Sequence, residues 1–204
     1  SLVKFHLNNN DGENASKSMF KVLDNDRMDL KIKHRVFNEF LIFAVKNPTY
    51  FKDLDKAIPY FDDDKEINVS KELAKFFWKK NDLEKTAYYF EKGIKRNSDD
   101  VEAMELYLEV LIQKQDFQLV TKKAEEYLES FPTQSGFYFY AGLGYNKLKE
   151  FKKAKSTLEN GLDFVVENQP LEANFYKQLI ISCENLNDNA KKQVYTNKLK
   201  QLQK

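Results

Sequence analysis

Apolar residues recur along this chain at helical spacing, three and four positions apart, and short polar dipeptides interrupt the runs. Four interruptions align: Asn81-Asp82, Gln115-Asp116, Lys149-Glu150 and Asn187-Asp188. Each follows a helical pattern, and the first three precede another. The first two intervals are both 34 residues. A fixed period of that length with one turn in its middle predicts a repeating helix-turn-helix, each copy burying its apolar face by stacking on its neighbours.

The residue types where two helices of a copy should meet follow the same period. In the copy with its turn at Lys149, Tyr138, Ala141-Gly142, Tyr145, Ala154, Leu158 and Gly161 alternate large and small. Around Asn81 the counterparts are Ser70, Leu73-Ala74, Phe77, Thr86, Phe90 and Gly93, with Leu83 just after the turn. Small residues let helices approach, and large ones fill the space beside them. Around Gln115 they are Met104, Tyr107-Leu108, Leu111, Val120, Ala124 and Tyr127, with Pro132 ending the second helix. There Val120 and Ala124 exchange sizes, a swap that roughly conserves volume. Tyr127 stands where a small residue is expected, which predicts displaced packing or a hydroxyl that reaches solvent.

Period, turn and contact residues resemble the tetratricopeptide repeat (TPR), with its pattern W-x2-L-G-x2-Y…A-x3-F…A, from about Asn68 to the end. The resemblance implies an all-α, right-handed α–α superhelix (TPR solenoid) of antiparallel helix pairs. The chain then divides into a partial repeat at 1–24, a degenerate one at 28–61, repeats at 67–100, 101–134 and 135–170, and a C-terminal pair or cap at 171–204. In the degenerate repeat Val36, Phe37, Phe40, Leu41, Phe43 and Ala44 are helically spaced, Asn47-Pro48 breaks the pattern, and Leu54, Ala57 and Ile58 continue it. The stretches from Asp24 to Ala57 and FVVENQPLEANFY are similar to C-terminal parts of large bacterial repeat proteins of the Bacteroidetes group. At the N-terminus Ala15, Met19 and Val22 should face inward, while the helix before Asn10-Asp11 reads as the second half of a longer one. An upstream segment and an exposed apolar N-terminal face are therefore expected.

Composition supports an all-α chain: 42% hydrophobic residues supply a core, while six Gly and four Pro in 204 residues are few for a tightly turning β fold. The formal net charge of +1 gives no global field to attract nucleic acid. No stretch has the roughly 20 apolar residues that would span a bilayer. A signal-like start is absent from Ser1 onward, so the periplasmic or cell-envelope location implied by the Bacteroidetes resemblance would need an upstream signal. The alternative is cytoplasmic. Cys183, the one cysteine, sits in the apolar run LIISCENL and reads as a buried, inert thiol. Asp62, Asp63 and Asp64 lack the glycine and ligand spacing of a calcium loop, and His6 and His34 read as surface or inter-helix residues. With no phosphate loop, nucleophile elbow or metal spacing, no enzyme activity, catalytic residue, metal or cofactor is expected.

The expected role is a protein-interaction scaffold, with a protein or peptide partner lying in the concave groove. The resemblance places groove residues at Asn68, Lys71, Lys75 and Trp78; Glu102, Glu105, Glu109 and Ile112; Gly136, Phe139, Leu143 and Asn146; and Asn174, Lys177, Ile181 and Glu184. The groove would pass from basic through acidic to apolar. Helix geometry puts Glu102, Glu105 and Glu109 on one face, opposite Met104, Tyr107, Leu108 and Leu111, so the glutamates form either a solvated face or a surface for a basic segment. Trp78 and Phe139 are candidate anchors, although Trp78 fits the core between helices equally well. A carboxylate clamp of the kind that holds chaperone tails is not assembled: Lys71 matches it, but Lys75, Leu106, Gly136 and Tyr140 do not. The runner-up reading is a structural spacer or assembly subunit of a larger envelope protein, acting through its convex side or open ends.

Overall fold

The computed structural model describes residues 1–202; the last two positions of the 171–204 segment lie outside the described residues. Every regular element among those described is helical. The chain forms two compact units, Ser1–Glu72 and a second from Leu73 onward. The first contains α1 (Leu2–Asn8), α2 (Gly12–Leu23), α3 (Leu30–Lys46) and a short α4 (Phe51–Ala57) flanked by 3-10 turns at Pro48–Tyr50 and Ile58–Phe61. The division falls inside α5 (Val69–Lys79). The second unit continues with α6 (Leu83–Arg96), α7 (Val101–Gln113), α8 (Phe117–Ser130), α9 (Ser135–Lys147), α10 (Phe151–Leu162), α11 (Gln169–Asn185) and α12 (Asn189–Leu202).

The recurring dipeptide does two jobs. Its first residue takes a left-handed backbone at Asn10, Asn81, Gln115, Lys149 and Asn187, with φ between 55° and 63°. At the second of these, the Asn81 N–H donates to the Trp78 carbonyl (2.8 Å) and the Asp82 N–H to that of Phe77 (3.1 Å). This pair of bonds is the Schellman closure of a helix, and it satisfies carbonyls that the helix end would leave open. The next residue then starts the following helix: the Asp11, Asp82, Asp116 and Asp188 carboxylates accept from the N–H groups of Asn14, Lys85, Leu119 and Lys191. Only Glu150 makes no such side-chain cap. A left-handed glutamine is strained by about 1–2 kcal/mol, more than the entropy a glycine loses on folding. Gln115→Gly should therefore stabilise the second unit by about 0.5–1 kcal/mol, read as a higher urea midpoint at unchanged slope.

No glycine has a positive φ; the glycines serve packing instead. A Cβ built at Gly142 would fall inside the Leu158 side chain, and one at Gly161 inside Tyr138. Helices α9 and α10 thus touch through the two small positions that the repeat pattern marked. Leu73, Ala74, Phe77, Thr86, Phe90, Met104, Tyr107, Leu108, Leu111, Val120, Ala124, Ala141, Tyr145, Ala154 and Leu158 are all buried. Tyr127 is half-buried beside Phe137, ring centroids 5.3 Å apart, and burial pushes its hydroxyl pKa well up. Its packing is therefore accommodated by a neighbouring aromatic ring.

In the first unit Ala15 and Met19 are buried as expected, but Leu23 takes the innermost place on α2 and Val22 is only half-buried. The acidic loop after α4 is organised by one of its three aspartates. Asp64 Oδ1 accepts from the backbone N–H groups of Glu66 (2.9 Å) and Ile67 (3.1 Å), and Oδ2 lies 2.7 Å from His34 Nε2. Burial pushes the Asp64 carboxyl up, but the His34 hydrogen bond, the two N–H donors and the His34 charge together hold it below its usual value. A depressed carboxyl stabilises above the unfolded value and loses that contribution as pH falls through the folded one. Asp64→Asn should weaken the first unit by about 1–3 kcal/mol at neutral pH. In urea melts the gap to wild type should close below about pH 4.

Candidate partner-binding groove

Helices α7 and α9 are in contact, as are α9 and α11, so the first helices of successive pairs share one face. Helix α5 joins that face from residue 73 onward. Trp78 Nε1 donates to Gln113 Oε1 (3.2 Å), and Lys75 Nζ lies 3.4 Å from Glu102 Oε1. The Trp78 ring is half-buried and meets Phe90 edge-on at 6.0 Å. It is neither a pure core residue nor a free anchor, because one edge packs on α6 while the indole N–H spans to α7.

The glutamate row falls as helix geometry requires: Glu102 is exposed and Glu105 and Glu109 are half-buried, while Met104, Tyr107, Leu108 and Leu111 on the far side are buried. Their electrostatic situations differ. Glu102 faces Lys75, and Glu105 accepts from Gln134 Nε2 (2.9 Å) while lying over Gly136. Among the described residues Glu109 has no ion-pair partner. Tyr140 stands nearby on α9; burial first, then Glu109 and Glu105, keep its hydroxyl protonated far above neutral pH. The surface therefore offers two carboxylates without a cation among the described residues, Glu105 held by a neutral amide and Glu109 beside a neutral hydroxyl donor. The expected gradient from basic to acidic is partly cancelled within the molecule by the Lys75–Glu102 pair.

Farther along, Phe139 and Leu143 are half-buried, and Phe139 packs on Phe175 with ring centroids 5.7 Å apart. Ile181 is 39% exposed, and Lys177, Asn174 and Glu184 are exposed. Gly136 and Asn146 are buried, so these two predicted groove positions do not face outward. Asn146 Nδ2 donates to the Gln178 carbonyl (2.9 Å) and to its Oε1 (3.1 Å), and Ser182 Oγ donates to Asn146 Oδ1 (2.7 Å). The amide thus fastens α9 to α11. Lys71 is half-buried at the start of α5, in the first unit, where its N–H donates to Asn68 Oδ1 (3.2 Å).

Gln113 and Gln134 shape this surface and were missed as groove residues from sequence, while Tyr140, named there only as a mismatch to the chaperone-tail clamp, shapes it too. The available signal was the period itself, since Trp78–Gln113, Glu105–Gln134 and Asn146–Ser182 are each separated by about one repeat. Cys183 is buried, and burial raises its pKa, as suits an unreactive thiol. Among the described residues no three or more His, Cys, Asp or Glu side chains are grouped to hold a metal ion, and no helix is long and apolar enough to cross a membrane.

No protein-family model and no curated protein matches this chain. Solved structures do. BtubC from P. vanneervenii is similar over 100% of this chain and 91% of its own, with TM-score 0.60 and 12% identity. MamA from Desulfovibrio magneticus RS-1 is similar over 83% of this chain and 94% of its own, with TM-score 0.59 and 14% identity. The C-terminal part of a TPR repeat-containing protein from Cytophaga hutchinsonii matches over 98% of this chain and 77% of its own, with TM-score 0.57 and 16% identity. Helix pairs, left-handed turn residues, small-residue contacts and these neighbours agree: the chain has the all-α tetratricopeptide-repeat fold and is similar to that Cytophaga repeat protein.

Proposed function

We propose that the chain is a non-catalytic protein-interaction scaffold whose second unit takes an extended or helical partner segment on the shared face of α5, α7, α9 and α11. Glu109 carries this reading: a half-buried carboxylate without a cationic partner among the described residues, beside protonated Tyr140, is poorly served by water and well served by a partner's lysine or arginine. Phe139, Leu143 and Ile181 continue the surface with apolar area, so the partner segment combines a basic residue with apolar ones. Trp78 supplies an aromatic edge at the opposite end. Lys75 and Glu102 contribute less, because each already answers the other. Glu105 and Lys177 border the surface and set register.

Selection of displayed random peptides on the immobilised chain should enrich sequences with Lys or Arg a few residues from apolar side chains. Glu109→Lys should lower binding of such a peptide by roughly tenfold or more, as charge reversal at a desolvated contact does. Phe139→Ala should weaken it by more than about 1 kcal/mol. Unchanged binding by both variants would reject this surface.

The second reading, an assembly subunit acting through its ends, is supported in the first unit. Leu2, Phe5 and Ile42 are each about 60% exposed, and a pocket of about 560 Å³ between α1 and α3 opens beside Ile42. Exposed large apolar side chains at this density are a feature of interaction surfaces.

A further inference from the structure

The loop from α10 to α11 departs from an ordinary solvated connection. It reads Asp163-Phe164-Val165-Val166-Glu167 and is held firmly in place. The Phe164 ring stacks on Tyr138 at 5.5 Å, Val165 packs against the C-terminal core, and Asn168 caps α11 through the Leu171 N–H at 3.1 Å. Glu167 takes a left-handed backbone with φ 48°. The outcome is that Val166 points into solvent, 77% exposed, more than any other large hydrophobic among the described residues. Asp163 and Glu167 flank it, both exposed and without a cationic partner among the described residues.

A complementary feature lies at the other end of the same helix. A pocket of about 400 Å³ at the start of α10 is lined by Lys149, Glu150, Phe151, Lys152, Lys153 and Leu186. Phe151 and Leu186 give it an apolar floor. Lys153 is tied to Glu150 at 2.6 Å, but Lys149, Lys152 and the adjacent Lys147 are exposed and without a carboxylate partner among the described residues. An apolar knob flanked by two carboxylates thus matches a shallow, partly apolar socket bordered by lysines, of which only Lys153 is answered by Glu150. Twelve helical residues, about 18 Å of α10, separate the two, so knob and socket of one chain cannot meet.

We propose that the Asp163–Glu167 loop of one copy docks into the Lys149–Lys153 socket of a second copy. This surface is distinct from the α5–α7–α9–α11 face and its operation does not depend on it. The contact is heterologous: each copy keeps a free knob and a free socket, so association proceeds head to tail and does not stop at a dimer unless it closes into a ring. Its exposed charges place it under salt control, because the Debye length shrinks from about 10 Å at 0.1 M to about 3 Å at 1 M.

Sedimentation velocity of the full chain over a concentration series tests this. At low salt the average mass should rise with concentration past that of a dimer, and at high salt it should fall back toward the monomer. Val166→Asp should weaken self-association by roughly tenfold or more. The same holds for the pair Lys149→Glu with Lys152→Glu, and for the pair Asp163→Lys with Glu167→Lys. All five positions are exposed, and circular dichroism checks that each variant remains folded. Mixing the two charge-reversed proteins should restore a mixed complex that neither forms alone. Wild-type protein that stays monomeric at low salt, reversals that leave association intact, or a mixture that does not associate would each overturn the proposal. So would binding of polyglutamate to the socket without self-association, which would assign it to a different acidic chain.

Discussion

Phe175→Ala is expected to destabilise the second unit by about 3–5 kcal/mol, roughly a third of the stability of an ordinary domain. The ring is fully buried with Leu158, Tyr176, Leu179, Cys183 and Tyr195, and it also meets Phe139. It therefore joins α9, α10 and α11 at one point. Truncation removes transfer free energy and leaves a cavity whose walls are helix backbones, which collapse poorly. In a repeat array stability is close to a sum of repeat and interface terms, so weakening one interface should uncouple what lies beyond it. Hydrogen exchange should show α11 and α12 losing protection before α7 and α8. Phe175→Leu should retain most of the stability. A single cooperative transition for Phe175→Ala, with uniform loss of protection, would contradict this picture of a local interface.

The pairing within each helix couple was legible because it depends on a helix's own apolar face. Ala141, Gly142, Leu158 and Gly161 could be assigned from the tetratricopeptide pattern, and the turn positions from the recurrence of Asn-Asp and its variants, although their left-handed backbone is seen only in the structure. Contacts between successive couples were less legible. Asn146 occupies a groove register and looks like a groove residue until Gln178 and Ser182 of the next couple are found bonded to it. Phe175 likewise lies beside the expected Tyr176 and Leu179, but its burial follows from α9 and α10 covering it together. The degenerate first unit is harder still: α4 is cut short by Pro48 and Pro59 and by 3-10 turns, so no regular period survives to be read.

Inter-repeat polar pairs follow a rule of their own. Lys114–Glu84, Lys155–Asp188, Lys191–Glu159 and Tyr195–Glu159 all join residues about one period apart. The exposed ion pairs among them, Lys114–Glu84 and Lys191–Glu159, each contribute little, about 0–1 kcal/mol, while Lys155–Asp188 and Tyr195–Glu159 are part-buried. Their common offset matters more for register: a stack slipped by one helical turn would separate all four at once. The same reasoning explains the candidate groove, where Lys75 and Glu102 are already matched while Glu105 and Glu109 have no cation among the described residues.

Gly161→Ala should destabilise the second unit by about 1–3 kcal/mol, although helix propensity alone argues for a gain of about 1 kcal/mol. The sign is decided by what the new methyl meets. A Cβ at 161 falls well inside contact with the Tyr138 Cβ, and lies 2.8 Å from its Cγ and 3.0 Å from Phe175 Cε1. Rotation about χ1 cannot move a Cβ, which is fixed to the backbone, so α9 and α10 must separate and the Tyr138–Phe164 stack must shift. Gly136 supplies the matching control. There the new methyl meets the carboxylate end of Glu105, a flexible side chain free to swing toward solvent at the loss of its bond to Gln134. Gly136→Ala is expected to range from neutral to about 1 kcal/mol more stable. Urea midpoints of the two variants at one pH decide the matter, because both add the same methyl within a helix. If Gly161→Ala proved as stable as Gly136→Ala, close backbone approach would not be the reason for the glycine at 161. The small-residue rule that aligned the repeats would then lose its physical basis at this position.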